Sequence, residues 1–269
     1  MRCTRISLVL SLLFCTSSAW AQLAQQATIP ASTPKDPQAV SVLNQALAVS
    51  GGTTAIEAIT DYTATGNVTY HWAGKDVQGS VTVNGRGSDQ VRVDTNMPGG
   101  ARSLVTSQGK TSQKAEDGGI LQMSIIPPLS PGSLAFPYRL LVDALMSPGL
   151  SLSYKGVVQI DGHSAHDLRV QPLLPDSVQA KDLLAELQAT DFLIDVSTLQ
   201  VIMVQDMIRT IQAMTVGHPH EIRLSDYRNV NGVLVPFSID ETIGGQKSWA
   251  ITLNNITFNS GLADSNFQL

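Results

Sequence analysis

The chain has 269 residues, of which 43% are hydrophobic, enough to bury one large core. Its 17 basic and 22 acidic residues are scattered and give a formal net charge of −5, which argues against nucleic acid or anionic lipid headgroups as partners held by bulk charge. The two cysteines, Cys3 and Cys15, both fall at the start, so the rest of the chain has neither a disulfide framework nor a thiol nucleophile.

Residues 1–21 have a basic start, an apolar run from Ile6 to Cys15 and a small-residue end at Ala19-Trp20-Ala21. This is the layout of a secretory signal peptide cleaved after Ala21, and the apolar run is too short to span a bilayer. Phe14 before Cys15 argues against a lipidated cysteine. Cleavage would remove Arg2 and Arg5 along with both cysteines and take the formal charge from −5 to −7. Residues 22–35 are polar, small and punctuated by proline, the composition of a flexible leader.

Asp36-Pro37 then reads as an N-cap followed by proline in the first helical turn. Val40, Leu43, Leu47 and Ala48 continue at helical spacing until Gly51-Gly52, and Thr53 caps a second short turn through Ile56 and Ile59. From Asp61 the period becomes two. Val68, Tyr70 and Trp72 share one strand face, a turn follows at residues 73–76, and Val77, Val81 and Val83 alternate in the next strand. Val91 with Val93, then Leu104 with Val105, mark two more strands of an antiparallel meander.

Ile125-Ile126-Pro127-Pro128 breaks the sheet. Residues 133–146 form the most apolar internal helix, with Leu134, Tyr138, Leu141 and Leu145 on one face, and Pro148-Gly149 ends it. Strands resume at residues 150–160 and 165–171 around an Asp161-Gly162 turn. Pro172 to Pro175 is a break, and residues 177–189 predict a short amphipathic helix on Val178, Leu183, Leu184 and Leu187, inserted at about 173–190. Further strands are expected at 192–196, 201–205, 208–216, 221–229, 233–242 and 249–258, with Asn231-Gly232 a strong hairpin turn. The fold class is therefore α+β with a large, mostly antiparallel sheet, and residues 36–269 form a single domain.

The closing strands carry a resemblance. Tyr227 to Ile239, with Gly232-Val-Leu-Val-Pro236, is followed by Ile251 to Asn259 and then Asp264-Ser-Asn-Phe267. This resembles the periplasmic outer-membrane lipoprotein carrier and sorting (LolA/LolB-like) superfamily, in which a Gly-x-x-x-Pro strand precedes one ending in Asn and an Asp-x-x-Phe tail closes the sheet. The helix ending at Gly51-Gly52 and the strand ending Asp195-Val-Ser-Thr198 fit the same pattern. The resemblance implies an open half-barrel of antiparallel strands, helices over its concave face, and an apolar space that takes acyl chains. It implies a soluble periplasmic or secreted protein that binds a lipid or other hydrophobic group, as a lipid or lipoprotein carrier, with no catalytic residue, no metal and no cofactor. The expected cavity wall is Val68, Tyr70, Trp72, Val81, Val83, Val91, Val93, Tyr138, Leu141 and Leu145, with the helix at residues 133–146 as a lid. The insertion near residues 173–190 departs from the family pattern.

Two alternatives stay open. One is a cell-envelope structural or sensor module with a filled core that binds an envelope protein along an edge strand. The other is a metal-dependent enzyme using the pairs His163 with His166 and His218 with His220, provided their two strands are neighbours. No His-Glu-x-x-His or Gly-x-Ser-x-Gly motif supports an enzyme, and Asp240-Glu241 would point to opposite faces of a strand. Glycine pairs such as Gly99-Gly100 read as turns.

Overall fold

The computed structural model describes residues 35–108, 110–123, 135–209 and 217–269. The signal segment, the leader up to residue 34, the break at residues 125–128, Ser133-Leu134 and residues 210–216 fall outside the described residues. Helix α1 (Pro37–Val49) and the short α2 (Thr53–Glu57) come first. Strands β1 (Asp61–Trp72), β2 (Lys75–Arg86), β3 (Gln90–Met97), β4 (Gly100–Ser107), β5 (Lys110–Lys114) and β6 (Ile120–Met123) make a meander. Helix α3 (Tyr138–Met146) leads to β7 (Leu150–Ile160) and β8 (His163–Pro172). Helix α4 (Lys181–Leu187) precedes β9 (Thr190–Asp195), β10 (Val201–Arg209), β11 (Gly217–Val230), β12 (Val233–Ile243) and β13 (Gln246–Phe258), and a 3-10 turn (Asp264–Phe267) ends the order.

All thirteen strands belong to one antiparallel sheet in the order β6-β5-β4-β3-β2-β1-β13-β12-β11-β10-β9-β8-β7. Its two edges do not pair among the described residues, so this is an open half-barrel of α+β class. The join between its two meanders is β1 against β13, with Val68 opposite Ile251 and Tyr70 opposite Trp249. Pleating turns Tyr62, Ala64, Val68, Val81, Val83, Val91 and Val93 to the concave face, where they meet Val235, Phe237, Ile239, Ile251 and Leu253. Helices α1 to α3 supply the cover. Ala39, Leu43, Ala46 and Leu47 of α1, Ile56 of α2 and Leu141 and Val142 of α3 are buried in the same core.

The ends of these elements follow from local chemistry. Asp36 Oδ1 accepts from the Gln38 and Ala39 amides at 2.7 and 3.3 Å, capping α1. At its other end Leu234 N donates to Ser50 O, and Gly51 lies so close to the β11–β12 turn that a Cβ would stand 2.6 Å from Gly232 O. That turn is Asn231-Gly232, both with positive φ (52° and 89°), the conformation a two-residue hairpin requires. Lys35 was expected to end the flexible leader. Its Nζ instead donates to the Ala144, Leu145 and Ser147 carbonyls, which satisfies the C-terminal end of α3.

Several elements differ from their sequence expectations. The helix expected from residue 133 begins at Tyr138, because Ala135 to Pro137 form a turn that buries Ala135 and Phe136. Helix α4 is seven residues long and contributes nothing to the core. It meets the outward side chains of Arg169 and Gln171 through Glu186, so this helix is not part of the concave cover. Strand β10 runs unbroken from Val201 to Arg209 where two segments were expected. The β5–β6 hairpin was missed, since Lys-Thr-Ser-Gln-Lys shows no apolar alternation. A small second core of Ala165, Leu193 and Met203 lies on the convex side of β8 to β10.

Candidate functional site

Among the described residues, the concave face is open away from the helices. β1 continues its inward alternation through Tyr70 and Trp72, and β13 through Trp249 and Ile251. Two adjoining lobes result, which share Tyr70 and Arg102. The first, about 380 Å³, is walled chiefly by Val93, Leu104, Trp249 and Ile251. The second, about 370 Å³, lies toward the β1–β2 turn and is walled by Trp72, Val77 and Met97. Volumes of this size match those of small-molecule sites, and the mix of apolar wall with a few polar groups does too.

Of the residues expected to form the wall, Tyr70, Trp72 and Val93 line these lobes. Trp72 is 77% exposed, so it marks the rim and not an enclosed wall. It is the next inward residue on β1 after Tyr70, but it opposes only Lys75 beside the tight turn at Ala73-Gly74 and has no further strand to pack on. Val68, Val81, Val83 and Val91 are buried in the core. Tyr138 and Leu141 are fully buried beneath α3, with Tyr138 against the Tyr227 ring at 6.2 Å, and Leu145 packs on that core from its margin.

Five charged side chains, Asp206, His220, Glu241, Arg102 and Glu116, give the cleft its electrostatics. His220 on β11 is enclosed between Asp206 of β10 and Glu241 of β12, with Nδ1 2.8 Å from Asp206 Oδ1 and Nε2 3.0 Å from Glu241 Oε1. All three are buried. Burial pulls the His220 pKa down, but the two carboxylate hydrogen bonds and charges overcome it and raise it to about 9, so imidazolium fills both positions at neutral pH. The other face of Glu241 borders the first lobe. Burial pushes the Tyr70 phenol up; Glu241 adds to this, while Arg102 and a hydrogen bond to Thr95 oppose it.

Arg102 on β4 is the one cation on either lobe among the described residues. Its Nε donates to Glu116 Oε1 at 2.9 Å. Glu116 belongs to the turn between β5 and β6 and folds over Gly99-Gly100, where a Cβ on Gly100 would come within 3.1 Å of Glu116 Cβ. Gly99-Gly100 is thus a turn, as its sequence suggests, and also the seat of a side chain that faces the cleft.

The histidine pairs do not assemble. His163 and His166 are on β8 and His218 and His220 on β11, with β9 and β10 between them, so the condition for a shared metal fails. His166 bonds Tyr154 at 2.9 Å, His163 is 3.3 Å from Asp195, and His218 is exposed. Among the described residues no group of three His, Cys, Asp or Glu side chains could hold a metal ion. Sequence reasoning singled out His220 for the wrong partners and passed over Arg102, Glu116 and Asp206. Nothing in the local pattern marks these three, which converge only through strand order.

No family model and no curated protein sequence matches the chain. Solved structures do match in fold. A LolA superfamily protein from Nitrosomonas europaea aligns over 86% of this chain and 98% of its own, with a TM-score of 0.55 and 9% identity. A DUF1329 family protein from Desulfovibrio piger aligns over 86% and 97%, with a TM-score of 0.53 and 11% identity. A Vibrio parahaemolyticus domain described as lipoprotein-sorting aligns over 86% and 96%, at 0.51 and 11%. This chain therefore shares the fold of these three structures. Among the described residues no helix is long and apolar enough to cross a membrane.

Proposed function

We propose that this protein binds the apolar part of a lipid or similar amphiphile in the two-lobed cleft of its half-barrel, without catalysis, as a soluble carrier of the cell envelope. The observation that carries this is the cleft itself, a largely apolar hollow on the concave face that no helix residue lines among the described residues, with Trp72 exposed at its mouth. In this reading residues 1–21 are a signal peptide removed after Ala21. Two of the fold relatives, a lipoprotein-sorting domain and a LolA superfamily protein, support the same role. Binding would be driven by burial of apolar surface, about 25 cal/mol for each Å².

Trp72 supplies the test. Titration with Nile red, a neutral apolar dye, is expected to enhance dye emission and shift tryptophan emission to the blue. Trp72→Phe should remove most of that tryptophan shift. Lack of dye binding, together with the absence of co-purifying lipid in native mass spectrometry, would refute the proposal. A second reading, an envelope module that binds protein along a sheet edge, is favoured by edge strand β6, where Ile120 and Leu121 are exposed. It predicts that Leu121→Lys abolishes a protein contact while dye binding persists.

A further inference from the structure

Resting on the cleft reading, we infer that the ligand is a single-chain amphiphile with an oxyanion head, a carboxylate or a phosphate, and that Arg102 takes the head in exchange for Glu116. Arg102 stands where the two lobes meet and borders both. A head placed there leaves the chain in the lobe of Val93, Leu104, Trp249 and Ile251. The guanidinium fork suits either oxyanion, which it can grip through two parallel hydrogen bonds.

The present partner of Arg102 is easily exchanged. The pair is half exposed, with Arg102 and Glu116 side chains 45% and 33% accessible. Such pairs contribute little, because water screens them and two long side chains must be held still. Glu116 is on the turn between β5 and β6, so its side chain can leave Arg102 for water by rotating about its own bonds, with no strand disturbed. Glu241, the other carboxylate on the cleft, cannot compete for Arg102 in the same way. Its Oε1 already accepts from His220, which Asp206 holds from behind, and all three are buried. The cleft therefore has one fixed anion, held in place by a histidine that it shares with Asp206, and one cation whose counter-ion can leave. An incoming anion neutralises Arg102; an incoming ammonium would meet it unshielded.

The test compares palmitate, hexadecyl phosphate, methyl palmitate and inorganic phosphate, each as a competitor of Nile red on the whole chain. Palmitate and hexadecyl phosphate are expected to bind about tenfold or more tightly than methyl palmitate, the usual gain from a charge-assisted hydrogen bond. Inorganic phosphate should not displace the dye, which separates a lipid head from a free phosphate site. Arg102→Gln should erase the advantage of the anions, so that acid, phosphate and ester compete alike, and an unchanged far-UV circular dichroism spectrum with a cooperative thermal transition shows separately that the variant is folded. Glu116→Gln should act in the opposite sense, tightening the anions about two- to fivefold. Equal binding of ester and acid, or an anion preference that survives in Arg102→Gln, overturns the inference but leaves the cleft as a binding site. Failure of every amphiphile and of Nile red to bind the wild type overturns the cleft reading itself.

Discussion

The buried trio of Asp206, His220 and Glu241 makes stability depend on pH in a direction that can be worked out. The His220 pKa rises from 6.5 in the unfolded chain to about 9 in the folded one. A rise of that size corresponds to about 3 kcal/mol in favour of the folded, protonated form. Because the folded value lies above the unfolded value, this contribution is full below pH 6.5 and is lost as the pH climbs through 9. Urea unfolding at steps from pH 6 to pH 10 should show the wild type weakening by about 3 kcal/mol, or about 1–3 M in midpoint for ordinary urea slopes. His220→Gln removes the titrating group and leaves two buried carboxylates without their cation. It should lose about 3–5 kcal/mol at pH 6.5 and then show a flatter profile. The difference between the two profiles cancels groups common to both, such as Lys35, whose pKa burial lowers. Parallel profiles for wild type and variant would refute the reasoning. A His220 ring resonance titrating near pH 6.5 would do so independently of any variant.

Two further expectations concern the frame that holds the cleft. Lys35→Met removes three hydrogen bonds to the last carbonyls of α3 and should cost about 1–2 kcal/mol in thermal unfolding, with Lys35→Arg recovering part of it. Gly66→Ala places a Cβ 2.2 Å from Thr252 O at the bulge where β1 meets β13, so the two strands must part. A loss of about 2–4 kcal/mol is expected, whereas Gly149→Ala, whose Cβ would meet only Ser147 Oγ at 3.6 Å, should stay within about 0.5 kcal/mol.

What could be read from the sequence was whatever a single element specifies for itself. Asp36 before Pro37 capped α1, Asn231-Gly232 closed a hairpin, and the alternation of Val81, Val83, Val91 and Val93 fixed which side of the sheet is inside. The same alternation brought Tyr70 and Trp72 to the concave face but could not tell a filled wall from a rim. That depends on which strand lies next to them, and β13 is about 180 residues away. Tyr138 and Leu141 were placed in the cavity wall because their helix is apolar. The structure has them buried beneath that helix, with Tyr138 against the Tyr227 ring. Arg102, Glu116 and Asp206 left no local trace, since a lone charge on a strand or turn looks the same whether it faces solvent or a hollow.

The division of the concave face bears on why one end is open. At the helix end, inward residues of β1, β12 and β13 meet the apolar faces of α1 and α3 and form an ordinary core. At the far end the inward position on β11 is His220, with Asp206 and Glu241 inward on the strands to either side. As mere filling this is a poor choice, because a buried ionic cluster is commonly no more stabilising than apolar side chains of similar volume. The histidine at its centre is satisfied within the trio: each nitrogen of His220 has a carboxylate, so the ring needs neither water nor a covering helix. Tyr70, Trp249 and Ile251 can then form an apolar floor beside it without an unpaired polar group at the margin. A sheet evolved only to be covered would gain by continuing the valine and isoleucine pattern to Trp72; one that keeps a hollow ready for an amphiphile gains by ending that pattern in charges that are already paired.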